Sequence, residues 1–313
     1  MNNRILVADK MHESLDSMLA SIGCQCDYRP AITRPEILAI LYEYSGLIIR
    51  SKTAVDQELL AYGPALKFVG RAGAGVDQLD LQALESRGIA VFNAPEGNRD
   101  AVGEHCVGML LSLLHKLHGA DRQVRKMIWD REVNRGIELK GKTVGIFGFG
   151  FMGSSFAEKL QGFECEVIAY DKYKTKYGSE GVRHVDLPTF LRETEILSIH
   201  VPLTDETRGL VTSEWLKEFD RLFLLINSSR GEIVVLGDIL KSLQNEILLG
   251  AGLDVLENEK LANLTDNQQR VFDELKVMEQ VIFTPHVAGW THESYQRINE
   301  VLVDKISSAR IFT

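Results

Sequence analysis

The run Thr143-Val-Gly-Ile-Phe147-Gly148-Phe-Gly150-Phe-Met-Gly153 decides how the rest of the chain is read. A short apolar strand ends at a glycine. Two more glycines follow in the pattern G-x-G-x-x-G, and Phe156, Ala157 and Leu160 then recur at helical spacing. A strand that turns tightly into a helix gives this pattern a mechanism. Gly148 permits the turn, Gly150 lets a pyrophosphate approach the backbone, and Gly153 lets helix and strand pack closely. The helix N-terminus adds free N–H groups and a partial positive charge. Gly148, Gly150, Phe151, Met152 and Gly153 are therefore candidate dinucleotide-binding residues. The next strand ends at Tyr170-Asp171, and Asp171 stands 18 residues beyond Gly153. A carboxylate there accepts hydrogen bonds from a ribose 2′-hydroxyl and repels a 2′-phosphate, so the expected cofactor is NAD. Lys172, Lys174 and Lys176 follow at once and would soften discrimination against NADP.

On both sides of this motif, short apolar runs alternate with helical stretches. Strands are expected at Ile5–Ala8, Gly46–Ile49, Lys67–Gly70 and Ile89–Phe92 before it. After it they are expected at Val167–Tyr170, Ile196–His200, Leu222–Ile226, Leu248–Leu253 and Val281–Phe283. Helices are expected over Ser14–Ile22 and over Leu79–Arg87, the latter ended by Gly88. A long helix is expected from about Ala101 to Arg125, with Val102, Cys106, Met109, Leu110, Leu113 and Leu117 on one apolar face. The segment Trp129–Lys140 is polar and irregular. A last helix runs from about His292 to Ile311, with Thr291 as N-cap and Tyr295, Ile298, Leu302 and Ile306 on one face. This βαβ rhythm predicts an α/β fold of two successive, doubly wound parallel-sheet domains.

Composition is consistent with that architecture. The 313 residues are 45% hydrophobic and 25% charged, which suits two globular domains. Lys and Arg number 35 against 44 Asp and Glu, a net charge of −9 with no basic block. Nucleic acid and anionic membrane are therefore not expected partners. Cys24, Cys26, Cys106 and Cys165 have neither metal-ligand spacing nor a disulfide pattern, so reduced thiols in the cytoplasm are expected. The N-terminal apolar run is too short for a signal peptide, and no stretch approaches a membrane helix in length.

Three segments past strand ends carry candidate chemistry: Ile226-Asn-Ser-Ser-Arg230-Gly231, Gly252-Leu-Asp254-Val-Leu-Glu-Asn-Glu259 and Phe283-Thr-Pro-His286. Ligands of open parallel sheets bind at the carboxyl ends of the strands. Reduction of a 2-oxo acid needs a proton for the carbonyl oxygen, and a histidine titrating near neutrality suits that task. A carboxylate orients the imidazole and favours its charged form. An arginine can hold the substrate carboxylate through a bidentate fork. Either Glu257 or Glu259 could face the histidine on this reading.

The chain resembles the D-isomer-specific 2-hydroxyacid dehydrogenases over essentially its whole length. The resemblance rests on Val69-Gly-Arg-Ala-Gly73-Ala74-Gly75-Val-Asp77, Asn93-Ala-Pro95, Gly148–Gly153, His200-Val201-Pro202, Asn227–Gly231, Leu253–Glu259 and Thr284-Pro-His286. It implies a catalytic trio of Arg230, Glu259 and His286, with His286 the acid–base group. It implies that Gly73, Ala74 and Gly75 bind the substrate carboxylate through backbone N–H groups. Asp254 would lie near the nicotinamide amide, with His200, Val201 and Pro202 on the adenosine side. A Rossmann-type cofactor domain, residues 98–285, would be inserted into a flavodoxin-like substrate domain, residues 1–97 and 286–313. The cleft between them would be the active site, and a homodimer would form through the cofactor domain, with Trp129–Lys140 as an arm.

Within that family, Ile49-Arg50-Ser51-Lys52-Thr53 and Asn93-Ala-Pro95 look like phosphoglycerate dehydrogenases. The likeness implies that Arg50 and Lys52 meet a substrate phosphate, although Arg50 could equally be a capping or interface charge. With the sequence ending at Thr313, a C-terminal regulatory domain and serine feedback are not expected. The alternatives are a hydroxypyruvate or glyoxylate reductase and, in another class, an NAD(H)-sensing binding protein. The stretch between Glu259 and His286 has no assigned role.

Overall fold

The computed structural model describes residues 3–174 and 180–311. The chain divides into two units, Met1–Arg99 with Trp290–Thr313, and Asp100–Gly289.

The first unit is built on a parallel sheet of β1 (Arg4–Val7), β2 (Gln25–Tyr28), β3 (Gly46–Ile49), β4 (Phe68–Arg71) and β5 (Ala90–Asn93), in the order β2-β1-β3-β4-β5. Both faces are covered, which is why β1 and β3 read as unbroken apolar runs. The pleat sends Leu6, Leu47, Ile49 and Val69 into one core and Ile5, Val7, Ile48 and Phe68 into the other. The second core is closed by the helix His292–Ser308, through Ile298, Leu302 and Ile306. Thr291 caps that helix, its hydroxyl accepting from Ser294 N at 3.1 Å.

The second unit has seven parallel strands: β6 (Thr143–Phe147), β7 (Glu166–Tyr170), β8 (Val182–His184), β9 (Ile196–Ile199), β10 (Leu224–Asn227), β11 (Gly250–Leu253) and β12 (Val281–Phe283). Their order is β12-β11-β10-β9-β6-β7-β8. β6 lies inside the sheet between β7 and β9, so strand order reverses there and the crevice for a ligand opens at its carboxyl end. Because all seven strands are parallel, the segments following β6, β7, β9, β10, β11 and β12 leave from one edge.

Three features depart from the sequence reading. β2 and β8 were not anticipated: both are edge strands, and neither Gln25-Cys-Asp-Tyr28 nor Val182-Arg-His184 has a buried residue to mark it. The long helix starts earlier, at Pro95, whose fixed φ and missing N–H suit a first turn. It ends at Leu114, and a second helix follows over Leu117–Arg125. The break is at Lys116, in the left-handed region with φ 52°, while Ile137 N donates to the Leu114 carbonyl at 2.9 Å and so caps the first helix from outside. Leu117 therefore leaves the apolar face it was expected to share and is exposed. Lys176 lies outside the described residues. Among the described residues, no helix is long and apolar enough to cross a membrane, and no group of three or more His, Cys, Asp or Glu side chains could hold a metal ion.

Candidate active site and dinucleotide site

The three glycines after β6 differ in what they are for. A Cβ on Gly148, whose φ is 94°, would lie 2.8 Å from the His200 carbonyl oxygen. A Cβ on Gly153 would lie 2.3 Å from the Gly148 carbonyl oxygen. These two are glycine because the protein's own backbone fills the space. Gly150 has nothing within 4 Å of a Cβ, yet it stands at the N-cap of the helix Phe151–Leu160, which has no side-chain cap. A helix start without a side-chain cap, with open space at Gly150, fits a pyrophosphate. Phe151 is exposed at that start and Met152 is half-buried.

Asp171 closes the same turn. Its Oδ2 accepts from Phe149 N at 2.8 Å, and its Oδ1 accepts from Tyr173 N at 2.9 Å and Lys174 N at 3.0 Å. On the other side of β6, His200 pairs with Ser198 Oγ at 2.8 Å through Nε2. Desolvation pulls the His200 imidazole down to about 3, so it is neutral at ordinary pH. Ser229 Oγ donates to the Val201 carbonyl and ties the loop after β9 to the loop after β10, while Pro202 is exposed.

Those strand ends bring Arg230, Glu259 and His286 together within the second unit. Asn227, fully buried, shapes the arginine turn: its side chain accepts from Ser229 N and donates to the Arg230 carbonyl, both at 3.0 Å. The Arg230 guanidinium donates to Ser229 O at 2.7 Å. Gly231 is required here, because a Cβ would lie 1.9 Å from the Leu256 backbone. That close approach brings the loop after β10 against the loop after β11. Glu259 Oε1 lies 2.9 Å from His286 Nδ1, and both side chains are about half exposed. The hydrogen bond to His286 is the main influence holding the Glu259 carboxyl below its usual range, and the Arg230 charge adds to it. Glu257 behaves oppositely, its carboxyl raised by burial. Glu259 is therefore the carboxylate that faces the histidine.

His286 has φ 54°, a conformation that a β-carbon disfavours. Asp254 holds it there. This carboxylate is 1% exposed. Its Oδ1 accepts from Thr284 Oγ1 at 2.6 Å and Val287 N at 2.9 Å, and its Oδ2 accepts from Ala288 N at 2.9 Å. The Asp254 carbonyl takes His286 N at 2.7 Å. From the helix Pro95–Leu114, His105 Nε2 meets Thr284 Oγ1 at 3.0 Å. The sequence motif Thr284-Pro-His286 contained this threonine without revealing its use, and His105 looked like any polar residue on a helix.

The remaining candidates lie in the first unit. Gly73 has φ 142°, and a Cβ there would meet Arg71 Nη1 at 1.7 Å. The Gly73 and Ala74 carbonyls are taken by Ala94 N and Asn93 Nδ2 at 2.8 and 2.7 Å, while Gly75 is half-buried beyond them. The Arg50 guanidinium stacks 3.5 Å from the Trp290 ring centroid and 5.2 Å from that of Tyr295. Lys52 Nζ donates to the carbonyls of Pro30 and Ile32 at 2.9 and 2.8 Å. Asp9, buried, accepts from Arg50 N and so fixes the end of β3. Trp290 and Asp9 were not singled out in the sequence, since an isolated Trp and an Asp after a strand carry no motif.

Residues 107–288 match the family model described as D-isomer specific 2-hydroxyacid dehydrogenase, NAD binding domain. The chain is 32% identical over 305 residues to a D-3-phosphoglycerate dehydrogenase of Archaeoglobus fulgidus, across 97% of this chain and 56% of that protein. It thus spans little more than half the length of that relative. It is also 32% identical over 275 residues to a hydroxypyruvate reductase of Thermotoga maritima, 88% of each chain being covered. Among solved structures, the D-lactate dehydrogenase of Aquifex aeolicus, complexed with NAD and lactic acid, superposes with a TM-score of 0.81 at 26% identity, over 98% of this chain and 95% of that one.

The contrast between the glycines gives a direct test. Gly150→Ala places its methyl in open space, so the melting temperature should stay within about 1 °C of the parent while NADH binding weakens roughly tenfold or more. Gly153→Ala must move backbone and should lower the melting temperature by several degrees, on the order of 1–3 kcal/mol. Thermal denaturation with NADH fluorescence titration reads both. Unaltered NADH affinity in Gly150→Ala would take the pyrophosphate away from this loop.

Proposed function

Since the chain belongs to the D-isomer specific 2-hydroxyacid dehydrogenase family, we propose that it interconverts a small 2-hydroxy acid and its 2-oxo acid, with His286, Glu259 and Arg230 as the working side chains. NAD(H), when bound, supplies or accepts the hydride. The observation that carries this reading is the 2.9 Å contact between His286 Nδ1 and Glu259 Oε1. With Nδ1 given to the carboxylate, Nε2 is the ring nitrogen that exchanges a proton with substrate. In reduction, His286 gives that proton to the carbonyl oxygen at C2, and Glu259 stabilises the charged imidazole beforehand. In oxidation, neutral His286 takes the hydroxyl proton. Arg230 holds the carboxylate of the 2-oxo acid and draws charge from the adjacent carbonyl. Asp254 works indirectly, by keeping the histidine loop in its strained form.

We assign 3-phosphoglycerate and 3-phosphohydroxypyruvate as the substrate pair, supported by the resemblance around β3 and by the named relative from Archaeoglobus fulgidus. Arg50, rather than Lys52, is the phosphate-binding residue in this reading, because the Lys52 ammonium already serves two backbone carbonyls. Gly73, Ala74 and Gly75 bind the substrate carboxylate through their N–H groups. A second reading, hydroxypyruvate reduction, is favoured by the relative from Thermotoga maritima, whose length the chain covers more fully. Self-association as a homodimer is assigned to the exposed apolar residues Leu117, Val124, Met127, Ile128 and Trp129 of the second unit.

NADH oxidation followed at 340 nm with 3-phosphohydroxypyruvate, hydroxypyruvate and glyoxylate separates the substrates. The phosphorylated acid should be preferred, and Arg50→Ala should raise its KM about tenfold or more with little change for glyoxylate. Equal use of all three, with no effect of Arg50→Ala, would favour the second reading.

The pairing also sets a pH dependence. The Glu259 carboxyl is held low in the folded state, so its favourable pairing is present above the ordinary carboxylate range and is lost as pH falls through the depressed value. Glu259→Gln removes the charged partner, so the reductive kcat should fall about tenfold or more at pH values above the carboxylate range, while the unaltered chain should lose activity as pH drops through the depressed carboxyl value. An unchanged kcat in Glu259→Gln would remove Glu259 from the working side chains.

A further inference from the structure

Among the described residues, two lysines follow Asp171, and their placement bears on which dinucleotide the chain accepts. Lys172 Nζ lies 2.6 Å from Glu206 Oε2, and Tyr173 OH reaches the same oxygen at 3.1 Å. Lys174 Nζ donates to the Phe149 carbonyl at 3.1 Å. Glu206 belongs to the turn after β9. That turn is stapled by Thr207, whose hydroxyl accepts from Thr204 N at 2.8 Å and donates to Pro202 O at 2.7 Å. Since β6 lies between β7 and β9, the Lys172–Glu206 pair joins the loops on either side of the Gly148–Gly153 turn.

We propose that Glu206 is a specificity-determining residue: by holding Lys172, it keeps a cation off the ribose 2′-position and so preserves selection for NAD over NADP. The inference rests on the reading of the second unit as the NAD site, with Asp171 at the ribose. Asp171 contributes one negative charge and keeps lone-pair capacity for a hydroxyl, beyond its three N–H contacts. A 2′-phosphate requires cations to replace its lost solvation. Among Asp171, Lys172, Lys174 and Glu206 the charges cancel, so a phosphate there gains nothing. Without the Glu206 charge, the group becomes net positive and Lys172 is released to swing on its flexible stem. Lys172, the first of the lysines that weaken NAD selection on the sequence alone, is thus paired by a carboxylate from a different strand end.

The test is fluorescence titration of NADH and NADPH, which reads binding without turnover. The unaltered chain should bind NADH more tightly. Glu206→Gln, an exposed and isosteric change, should tighten NADPH about fivefold, the scale of one exposed ion pair, and leave NADH within about twofold. Adding Lys172→Gln should cancel the gain, and raised salt should shrink it. An unchanged NADPH-to-NADH ratio in Glu206→Gln would overturn the inference, as would an equal gain in the double variant. If Asp171→Ser shifts the ratio while Glu206→Gln does not, the site stands and the role of Glu206 falls. If the unaltered chain binds neither dinucleotide, the reading of the site falls and the inference with it.

Discussion

The buried carboxylate of Asp254 is the constraint from which the active geometry follows. It sits at the end of β11 with its charge out of water, and burying a charge is costly unless hydrogen bonds compensate it. The compensation comes from the next strand's loop, through Thr284, Val287 and Ala288. Those bonds draw the chain into a turn in which His286 must take a left-handed backbone conformation. The strain is local, and three hydrogen bonds to one buried carboxylate impose it, so the loop has little freedom to relax. The result is a histidine whose Nδ1 meets Glu259 before substrate arrives. Preorganisation of this kind lowers the reorganisation that a proton transfer would otherwise require.

The other contributors reach the same edge because the sheet of the second unit is parallel throughout. A parallel sheet gathers every strand-to-helix turn at one end, and the reversal of order at β6 opens a crevice there. Close backbone approach then does the fine placement. Gly231 lets the arginine turn meet the Leu256 backbone, and Gly148 lets the dinucleotide turn meet the His200 carbonyl. Each of these glycines is fixed by contact within the protein. Gly150 has no such contact, and that asymmetry sets it apart from these two packing glycines.

Much of this was legible in the sequence. The strands that form both sheet interiors are mostly apolar, and the glycine pattern after Phe147 marks the strand-to-helix turn. Arg230, Glu259 and His286 were recognisable as types suited to 2-oxo acid chemistry and as positions past strand ends. What the sequence withheld depends on partners distant in the chain. The edge strands β2 and β8 take their conformation from pairing, not from apolar side chains of their own. The helix break at Lys116 depends on Ile137 capping Leu114 from another segment. The choice of Glu259 over Glu257 depends on which side chain turns toward His286. The use of Lys172 and Lys52 could not be read from their charge, because what matters is the acceptor each has already found.

The central claim is that His286 moves the proton and is not needed to build the cofactor site. His286→Gln, assayed side by side for NADH affinity and for single-turnover reduction of the preferred 2-oxo acid, tests it most directly. The account predicts an NADH Kd within about twofold of the unaltered chain and a chemical step slowed by on the order of 10³-fold. A variant that keeps its turnover, or one that loses NADH binding in the same proportion as turnover, would contradict it.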